Sequence, residues 1–348
     1  MKTKLFILGA CAALVFAACS KDENQNTNDF TLKASEEYSI ANLQANAMKD
    51  LKQKFVFEAN GEEALVEVKS GVKIRVKTAT LKVGGQPYFG PVVVEYVEVF
   101  GRGAMLTANK TTSGLTNQPQ SEDDTRPQPL ISGGEFYVNM TTEEGENIDE
   151  GAEYQLEVPA ELTGGEPDED MTSWTGDQED TDGDGNSDDE GDVTWDEDEA
   201  GDGDDDNGEG DKDVPVENGE YILKLREFGW CNIDKLAEYP NEKTTIFVDV
   251  PNGFDDTNSK VYLAFEGQQN MLVSLDHYDQ GTQLFGETYN LLPVGEQCHI
   301  IFASGQGGQW IYAVQTITIT PNGVYVVNAG SLVTATQADV INMLNSLP

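Results

Sequence analysis

The sequence predicts an all-β fold of two β-sandwich domains, joined by an acidic disordered insertion, with a short helix near each end. Three observations lead to this prediction. Apolar and β-branched residues alternate with polar ones in many short segments, mainly between residues 55 and 158 and between 221 and 327. Turn sequences such as Asn252-Gly253 separate these segments. About two dozen acidic residues lie between Glu166 and Asp213, and such a stretch has too few apolar residues to fold alone.

Residues 1–18 have the properties of a lipoprotein signal peptide. Two lysines precede a short apolar run from Leu5 to Ala18, which is too short to span a bilayer comfortably. Small residues stand directly before Cys19, as a lipoprotein-processing peptidase requires, and we predict that Cys19 carries a lipid anchor. The alternative is an ordinary cleaved signal with an incidental cysteine. Residues 19–34 are polar and acidic, and we expect them to form a flexible tether.

The first β-sandwich domain is predicted over residues 35–163. It begins with a helix, because apolar residues recur at spacings of three and four, at Ile40, Leu43, Ala47, Met48 and Leu51. From Phe55 the pattern changes to period two, and the predicted strands include 64–68, 72–76, 92–100, 135–140 and 154–158. Residues 110–130 are rich in Thr, Ser, Gln and Pro and are predicted to form an exposed loop.

Residues 164–215 are predicted to form an acidic linker rich in Asp and Gly. Part of it has oxygen ligands at alternate positions with a glycine in sixth place, as in the first half of a calcium loop: Asp180, Asp182, Asp184, Asn186 and Asp188. Position twelve is Gly191, where a bidentate Glu would be needed, and no paired helices are predicted around the loop. Two interpretations stay open, a weak calcium site of extracellular type and a solvated linker that attracts cations diffusely.

The second β-rich domain is predicted over residues 216–348. Its strands lie at 221–225, 245–250, 261–265, 299–302, 310–319 and 324–327, and a short helix follows Thr336. Cys231 and Cys298 both lie in this domain. Since export permits disulfides, a bridge between them is one alternative, and two buried free thiols are the other.

The net charge of −42 limits the classes of partner. A chain this acidic does not attract nucleic acid or an anionic membrane surface through its field, so the lipid has to supply the membrane contact. No serine-hydrolase elbow, zinc-protease helix or phosphate-binding glycine loop is found in the sequence. We therefore predict that the protein is not an enzyme.

A few side chains remain candidates for chemistry. His277 stands near Asp276 and Asp279 and could form a dyad with one of them. Cys231 and His299 could pair as a thiol nucleophile and its base, although packing explains both residues equally well. The glycine-rich loop before Trp310 could expose this ring to a sugar, but a hairpin that leads into a buried Trp is the favoured interpretation.

Three stretches carry a resemblance to a known family. They are 90–99 with Ala104-Met105-Leu106 and Thr111-Thr112 following, 130–136, and 228–234 with Tyr239-Pro240-Asn241 following. The chain resembles a family of Bacteroidetes surface lipoproteins that has no assigned activity and whose first domain is similar to a carboxypeptidase regulatory-like, immunoglobulin-like sandwich. That family places a Met, an aromatic-x-Gly and a Trp between its two domains, and the matching residues here are Met171, Trp174, Gly176 and Trp195.

The resemblance implies a location more than an activity. The acidic residues after Cys19 resemble the export tag of such lipoproteins, which implies display on the outer face of the outer membrane. We expect a non-catalytic module for binding, adhesion or assembly with an unknown protein or glycan partner. The alternatives are a glycan-binding accessory lipoprotein of a polysaccharide-uptake system and an unrecognised hydrolase.

Overall fold

The computed structural model describes residues 39–116, 126–177, 193–198 and 213–348. These residues form mostly β-strands, so the prediction of an all-β, sandwich-like fold with few helices is confirmed. The helices are α1 (Ile40–Leu51), α2 (Gly101–Ala108) and α3 (Gln337–Asn345). The strands of the N-terminal half are β1 (Gln53–Ala59), β2 (Glu63–Glu67), β3 (Lys73–Lys77), β4 (Lys82–Val83), β5 (Gln86–Pro87), β6 (Gly90–Val99), β7 (Ser113–Leu115), β8 (Gln128–Thr142), β9 (Tyr154–Pro159), β10 (Thr172–Asp177), β11 (Thr194–Glu197), β12 (Val216–Glu217), β13 (Glu220–Leu225) and β14 (Gly229–Leu236).

The C-terminal half contributes shorter sheets. Its strands are β15 (Lys243–Thr244), β16 (Ile246–Asp249), β17 (Ser259–Phe265), β18 (Val273–Ser274), β19 (His277–Asp279), β20 (Leu284–Gly286), β21 (Leu292–Pro293), β22 (Gln297–Gln306), β23 (Gln309–Thr318), β24 (Gly323–Val326) and β25 (Val333–Ala335).

Two sheets build the N-terminal sandwich. The large sheet has the order β1-β6-β8-β14-β10-β11-β7, and the second sheet has the order β12-β13-β9-β3-β2. Alternate residues of both sheets form one core, with Val92, Val94 and Tyr96 of β6 among the buried side chains of the large sheet and Ile74 and Val76 of β3 among those of the second. Period-two alternation in the sequence is the cause, since every second side chain of a strand points to the same face.

The large sheet is closed at one end. β7 pairs with β11 in parallel and with the start of β8 in antiparallel orientation. The strands β8, β14, β10, β11 and β7 therefore form a ring, and no free edge remains on these strands where the ring closes.

The predicted domain boundaries differ from this topology. The expected linker at 164–215 contains β10 and β11, which pair with each other and with β14. β13 and β14, expected in the second domain, belong to the two sheets of the N-terminal sandwich. In the acidic composition of the region, the few buried apolar residues gave no strand pattern: Trp174 in β10, Trp195 in β11 and Val193 directly before β11.

The C-terminal half has three sheets, with the orders β18-β17-β22-β23-β25, β19-β20-β16-β24 and β15-β21. β17, β22 and β23 form its centre, and their inward residues are almost entirely buried. Phe302 of β22 meets Phe254 edge to face with ring centroids 4.9 Å apart. Tyr239 stacks on Phe265 of β17 at 5.6 Å.

The helices lie where the two halves meet. α1 is capped by Ser39, whose hydroxyl accepts from the Asn42 N–H at 3.2 Å, and its buried residues include Ile40, Ala47 and Met48. Ile40 and Met48 join a second core that combines the opposite face of the large sheet, α2, α3 and β17, β22 and β23. α3 begins with a capping box between Thr336 and Asp339. The sequence pattern does not predict α2, because the eight residues of this helix show no sustained helical periodicity.

A polar network joins α1 to the C-terminal half. Gln44 is fully buried, and its Nε2 donates to Leu106 O at 3.0 Å, to Asn109 Oδ1 at 3.3 Å and to Tyr262 Oη at 3.0 Å. Lys260 Nζ donates to the same Asn109 Oδ1 at 2.6 Å. One amide side chain of α1 therefore links the end of α2 to β17.

Candidate binding groove

A groove opens at the end of β10 and β14, next to the closed ring of strands. Its volume is about 510 Å³, within the usual range for ligand sites. The strand pairing brings its walls together, since Lys235 pairs with Ile131 and Asp234 with Thr172. The lining residues are Ile131, Asp170, Thr172, Trp174, Glu197, Lys235, Leu236 and Glu238.

The charges of the groove are mainly negative. Asp170, Glu197 and Glu238 supply carboxylates, and Lys235 supplies a cation that pairs with Asp168 at the rim. The Lys235 ammonium group lowers the pKa of Asp168, so that this carboxylate stays ionised. Thr116 Oγ1 donates to Glu197 Oε2 at 2.6 Å. The groove thus combines one carboxylate held by a hydrogen bond, that of Glu197, two exposed carboxylates and the half-buried apolar side chains of Ile131 and Leu236.

Trp174 forms the inner wall but does not offer its ring face. The side chain is only 1% exposed, and its Nε1 donates to Thr172 Oγ1 at 2.9 Å and to Asp234 O at 3.0 Å. These bonds fix the ring between β10 and β14. The wall is therefore rigid, but a sugar ring has no surface on Trp174 to stack on.

Behind the groove lies a cluster of buried tryptophans. Trp195 and Trp230 meet edge to face at 6.3 Å, and Trp195 Nε1 donates to Thr111 O at 2.9 Å. The ammonium group of the fully buried Lys110 lies 4.8 Å from the centroid of the Trp230 ring. A cation over an aromatic ring is attracted by the electrons of the ring face, more strongly when water is excluded.

The residues that the resemblance placed between two domains lie instead in the large sheet. Trp174 and Gly176 belong to β10, Trp195 to β11, and Met171 joins the core of the N-terminal sandwich. Gly176 has a packing reason, because a Cβ there would lie 2.6 Å from Val193 Cγ1 and 2.7 Å from Trp230 Cβ.

The predicted lipidation and calcium residues lie outside the described residues. These are Cys19 and the set Asp180, Asp182, Asp184, Asn186 and Asp188. The structure does define the ends of the segment that carries the calcium motif, since Asp177 pairs with Thr194 as the last register pair of a β10–β11 hairpin. Among the residues that the structure describes, no group of three or more His, Cys, Asp or Glu side chains is arranged to hold a metal ion.

The two cysteines are free thiols, so the bridge between Cys231 and Cys298 does not form and the alternative of two buried thiols holds. Cys231 of β14 belongs to the core of the N-terminal sandwich, whereas Cys298 of β22 pairs with Phe265 in a different sheet. Burial raises the pKa of the Cys231 thiol strongly and that of Cys298 to about 12. Both groups are therefore protonated at neutral pH and are weak nucleophiles.

Neither histidine shares a site with a thiol or a free carboxylate. His299 Nδ1 lies 3.0 Å from Thr316 Oγ1 on β23, in another sheet than Cys231. Asp279, beside His277, accepts from the N–H groups of Gly281 and Thr282, and this lowers its pKa. Asp276 accepts from Thr288 through both N–H and hydroxyl. The carboxylates near His277 thus hold turns in place.

The loop before Trp310 is the hairpin that the sequence favoured. β22 and β23 pair in register up to Gln306 and Gln309, and Gly307 and Gly308 form the turn with positive φ angles. Trp310 is 1% exposed. The loop therefore leads into a buried ring and does not present an aromatic surface.

Arg102 is a buried cation that no sequence pattern predicts. Its guanidinium Nη2 donates to Phe265 O at 2.6 Å and to Gln268 O at 2.6 Å, and its Nε donates to Gln268 O at 2.8 Å. Burial lowers its pKa to about 10. The side chain joins α2 to the turn after β17, so its contribution is structural.

Comparisons with known proteins identify no relatives, since no family model and no curated protein matches the chain. Within the described ranges, no helix is both long and apolar enough to cross a membrane.

Proposed function

We propose that this protein is a non-catalytic binding protein, anchored by a lipid on Cys19 to the outer membrane and exposed on the cell surface. We further propose that it binds a segment of another protein in the groove of Ile131, Thr172, Lys235 and Glu238. One observation carries the choice of ligand: three carboxylates, from Asp170, Glu197 and Glu238, line the same groove as the apolar side chains of Ile131 and Leu236. A peptide with a Lys or Arg side chain beside an apolar residue matches this combination.

A protein ligand is favoured over a glycan because of the tryptophans. All four Trp side chains of the chain are at most 2% exposed, so none offers a ring face for stacking on a sugar. The glycan-binding alternative rested on exposed aromatic side chains: no Trp supplies one, and Phe89, which is 67% exposed, does not line the groove.

The proposal of a non-catalytic role rests on the environments of the two thiols and of the carboxylates near His277. The pKa values of both thiols are raised by burial, and the carboxylates near His277 are engaged in turns. Steady turnover on a panel of hydrolase substrates, abolished by one carboxylate substitution, would contradict this role.

The ligand proposal is tested by titrating the soluble chain from Ser20, which contains every described residue, with paired peptides. One peptide set contains Lys or Arg beside Leu or Ile, and the other has these cations replaced by Glu. We expect binding of the basic set only, weakened about two- to fivefold by Glu238→Gln, because an exposed ion pair contributes up to about 1 kcal/mol. Glu217→Gln on β12, an exposed carboxylate of the second sheet, is the control and should leave binding unchanged. A glycan array runs in parallel, and binding there without peptide binding would overturn the proposed ligand class.

The anchor is tested separately in cells. Fatty-acid label should enter the native protein and should be lost with Cys19→Ala, and protease added to intact cells should remove the protein. Label that persists in the Cys19→Ala variant would contradict the anchor, and resistance to the protease would contradict surface exposure.

Calcium is proposed to bind weakly at Asp180, Asp182, Asp184, Asn186 and Asp188. The closed hairpin register at Asp177 and Thr194 supports a loop, because it brings the two ends of this segment together. Calcium would neutralise part of the repulsion among the acids, so we expect the radius measured by small-angle scattering to decrease. The same radius with calcium and with a chelator would count against it.

A further inference from the structure

One stretch of this acidic chain has no charge. Charged residues make up 24% of the sequence, yet no Asp, Glu, Lys or Arg occurs from Ile300 to Ala338. This stretch includes β24 and β25. The stretch itself therefore adds no like charge that would repel a second copy at close contact.

The uncharged stretch forms two sheet edges. β24 is the outermost strand of the order β19-β20-β16-β24, and β25 is the outermost strand beside β23. Three large apolar side chains are exposed there, Val324 at 58%, Val326 at 49% and Val333 at 47%. An outer strand presents backbone N–H and C=O groups on its open side, and these can pair with a further strand.

The outer strands β1 and β2 of the N-terminal sandwich carry charges that oppose such pairing. β1 has Lys54 and Glu58 exposed on the face that also bears Val56, and β2 has Glu63 and Glu67. Charged side chains on outer strands are a common protection against edge-to-edge association. β24, Gly323-Val324-Tyr325-Val326, has none.

β24 is also held in a fixed conformation. Tyr325 Oη donates to Thr318 O at 2.7 Å and accepts from the Thr320 N–H at 3.1 Å, on the side opposite to the exposed valines. The neighbouring strand β16 adds the half-buried Phe247 beside Val324, and Asp249 beside Val326 is the charged neighbour in this register. We call β24 with Val324, Val326 and Phe247 the neutral edge.

We propose that a second copy of this chain docks on the neutral edge, with the two β24 strands antiparallel. A two-fold axis at Tyr325 would place Val324 of each copy opposite Val326 of the other, so that the same short strand is complementary to itself. A symmetric contact needs no opposite charge, and the neutral edge supplies none. A basic partner would find more acidic groups on almost any other surface.

The contact is small, since β24 has four residues, and we expect a weak dimer that dissociates on dilution. Its response to salt separates it from a charge-driven contact. Docking brings two acidic bodies together, so added NaCl should screen their repulsion and strengthen the dimer. Charge-driven association would weaken instead.

Sedimentation velocity of the chain from Ser20 over a concentration and salt series tests the proposal. We expect a dimer that strengthens with salt and whose dissociation constant rises at least tenfold in the double variant Val324→Lys with Val326→Lys. Both positions are exposed, so circular dichroism should show the native fold. Val56→Lys on β1, at a position that is 66% exposed, is the matched control and should leave the dimer unchanged. A monomer at all concentrations and salts, or a dimer that the lysines do not weaken, would overturn the proposal.

Cross-linking tests the register. Opposite residues of antiparallel strands have Cα atoms about 4.5–5.5 Å apart, within the range that a disulfide spans. The double variant Val324→Cys with Val326→Cys should therefore form covalent dimers under mild oxidation, whereas Val56→Cys should not. Equal yields from the two variants would contradict the two-fold axis at Tyr325.

Discussion

At the scale of single residues, Gly176 is one of the positions where the closed ring of strands leaves no space for a side chain. A Cβ there would lie under 3 Å from Val193, Trp195 and Trp230. We expect Gly176→Ala to lower the free energy of unfolding by about 1–3 kcal/mol, the usual cost of an overpacked core. Urea unfolding measures it, and Gly330→Ala is the control, since nothing lies within 4 Å of a Cβ at Gly330. An unchanged stability in both variants would show that the ring adjusts to an added methyl group.

The surroundings of His299 determine how its protonation makes the free energy of unfolding depend on pH. Burial, and to a smaller extent the charge of Arg102, lower its pKa from the ordinary 6.5, while Glu266 acts weakly in the opposite direction. The unfolded chain therefore takes up a proton before the folded chain does as the pH falls below 6.5. Stability attributable to the neutral imidazole is complete above this pH and is lost on acidification through the lowered pKa.

We expect the free energy of unfolding to depend on pH with different slopes in the wild type and in a His299 variant. Between about pH 7 and pH 5, the free energy of unfolding should fall less steeply in His299→Gln than in the wild type. The exposed His277, replaced by Gln, is the control for histidine removal in general. Parallel pH profiles for His299→Gln and wild type would contradict the assignment, whatever the absolute stability of the variant.

At the scale of elements, Gln44 determines how firmly α1 is joined to the rest. Gln44→Ala would remove the donor to Leu106 O, Asn109 Oδ1 and Tyr262 Oη in a buried place. We expect a loss of about 1–3 kcal/mol in the free energy of unfolding, because each buried acceptor loses one donor and the shortened side chain leaves a cavity. Asn46→Ala on the exposed side of the same helix is the control and should change stability by less than about 0.5 kcal/mol. Equal effects of the two substitutions would show that the network does not hold α1.

The same helix shows what a sequence can and cannot predict about an element. The spacing of Ile40, Ala47 and Met48 predicted α1, and these side chains are buried. Spacing could not predict that Gln44 would be buried as well, because its partners come from α2 and β17, distant in sequence. The expected exposed loop at 110–130 is wrong, for the same reason, at the residues of this range that the structure describes, 110–116 and 126–130. Lys110 is fully buried over the Trp230 ring, and Thr112 is fully buried against Leu272.

For the candidate groove, the sequence indicates one of the lining residues but not how the lining residues are arranged. The family resemblance includes Trp174, whereas Lys235 and Glu238 belong to no recognised motif. The groove arises because β10 returns to pair with β14 across a long acidic connection. Pairing between strands so far apart depends on tertiary packing, which local periodicity does not encode.

At the scale of the whole molecule, the sequence pattern predicted the fold class better than composition predicted the domain limits. Period-two segments predicted a sandwich-like all-β protein, and the described residues form one. The predicted domain limits were wrong because the amino-acid composition of residues 164–215 is dominated by Asp, Glu and Gly. Strand pairing needs only a few suitable residues, such as those of β10 and β11. An acidic segment can thus be an insertion in a hairpin as well as a linker between domains.

The net charge makes a last prediction at this scale. With 63 acidic and 21 basic residues, repulsion among like charges should outweigh the attraction in surface ion pairs such as Lys73–Glu220 at 2.7 Å. Such pairs contribute about 0–1 kcal/mol each, and salt weakens them as it weakens the repulsion. We therefore expect the urea midpoint to rise as NaCl is added, and urea is the suitable denaturant because it is uncharged. The dimer proposed above is also expected to strengthen with salt, so the measurement is repeated on the double variant Val324→Lys with Val326→Lys. A midpoint that falls with salt in this variant would show that local ion pairs, and not the overall field, dominate the electrostatic free energy of the folded chain.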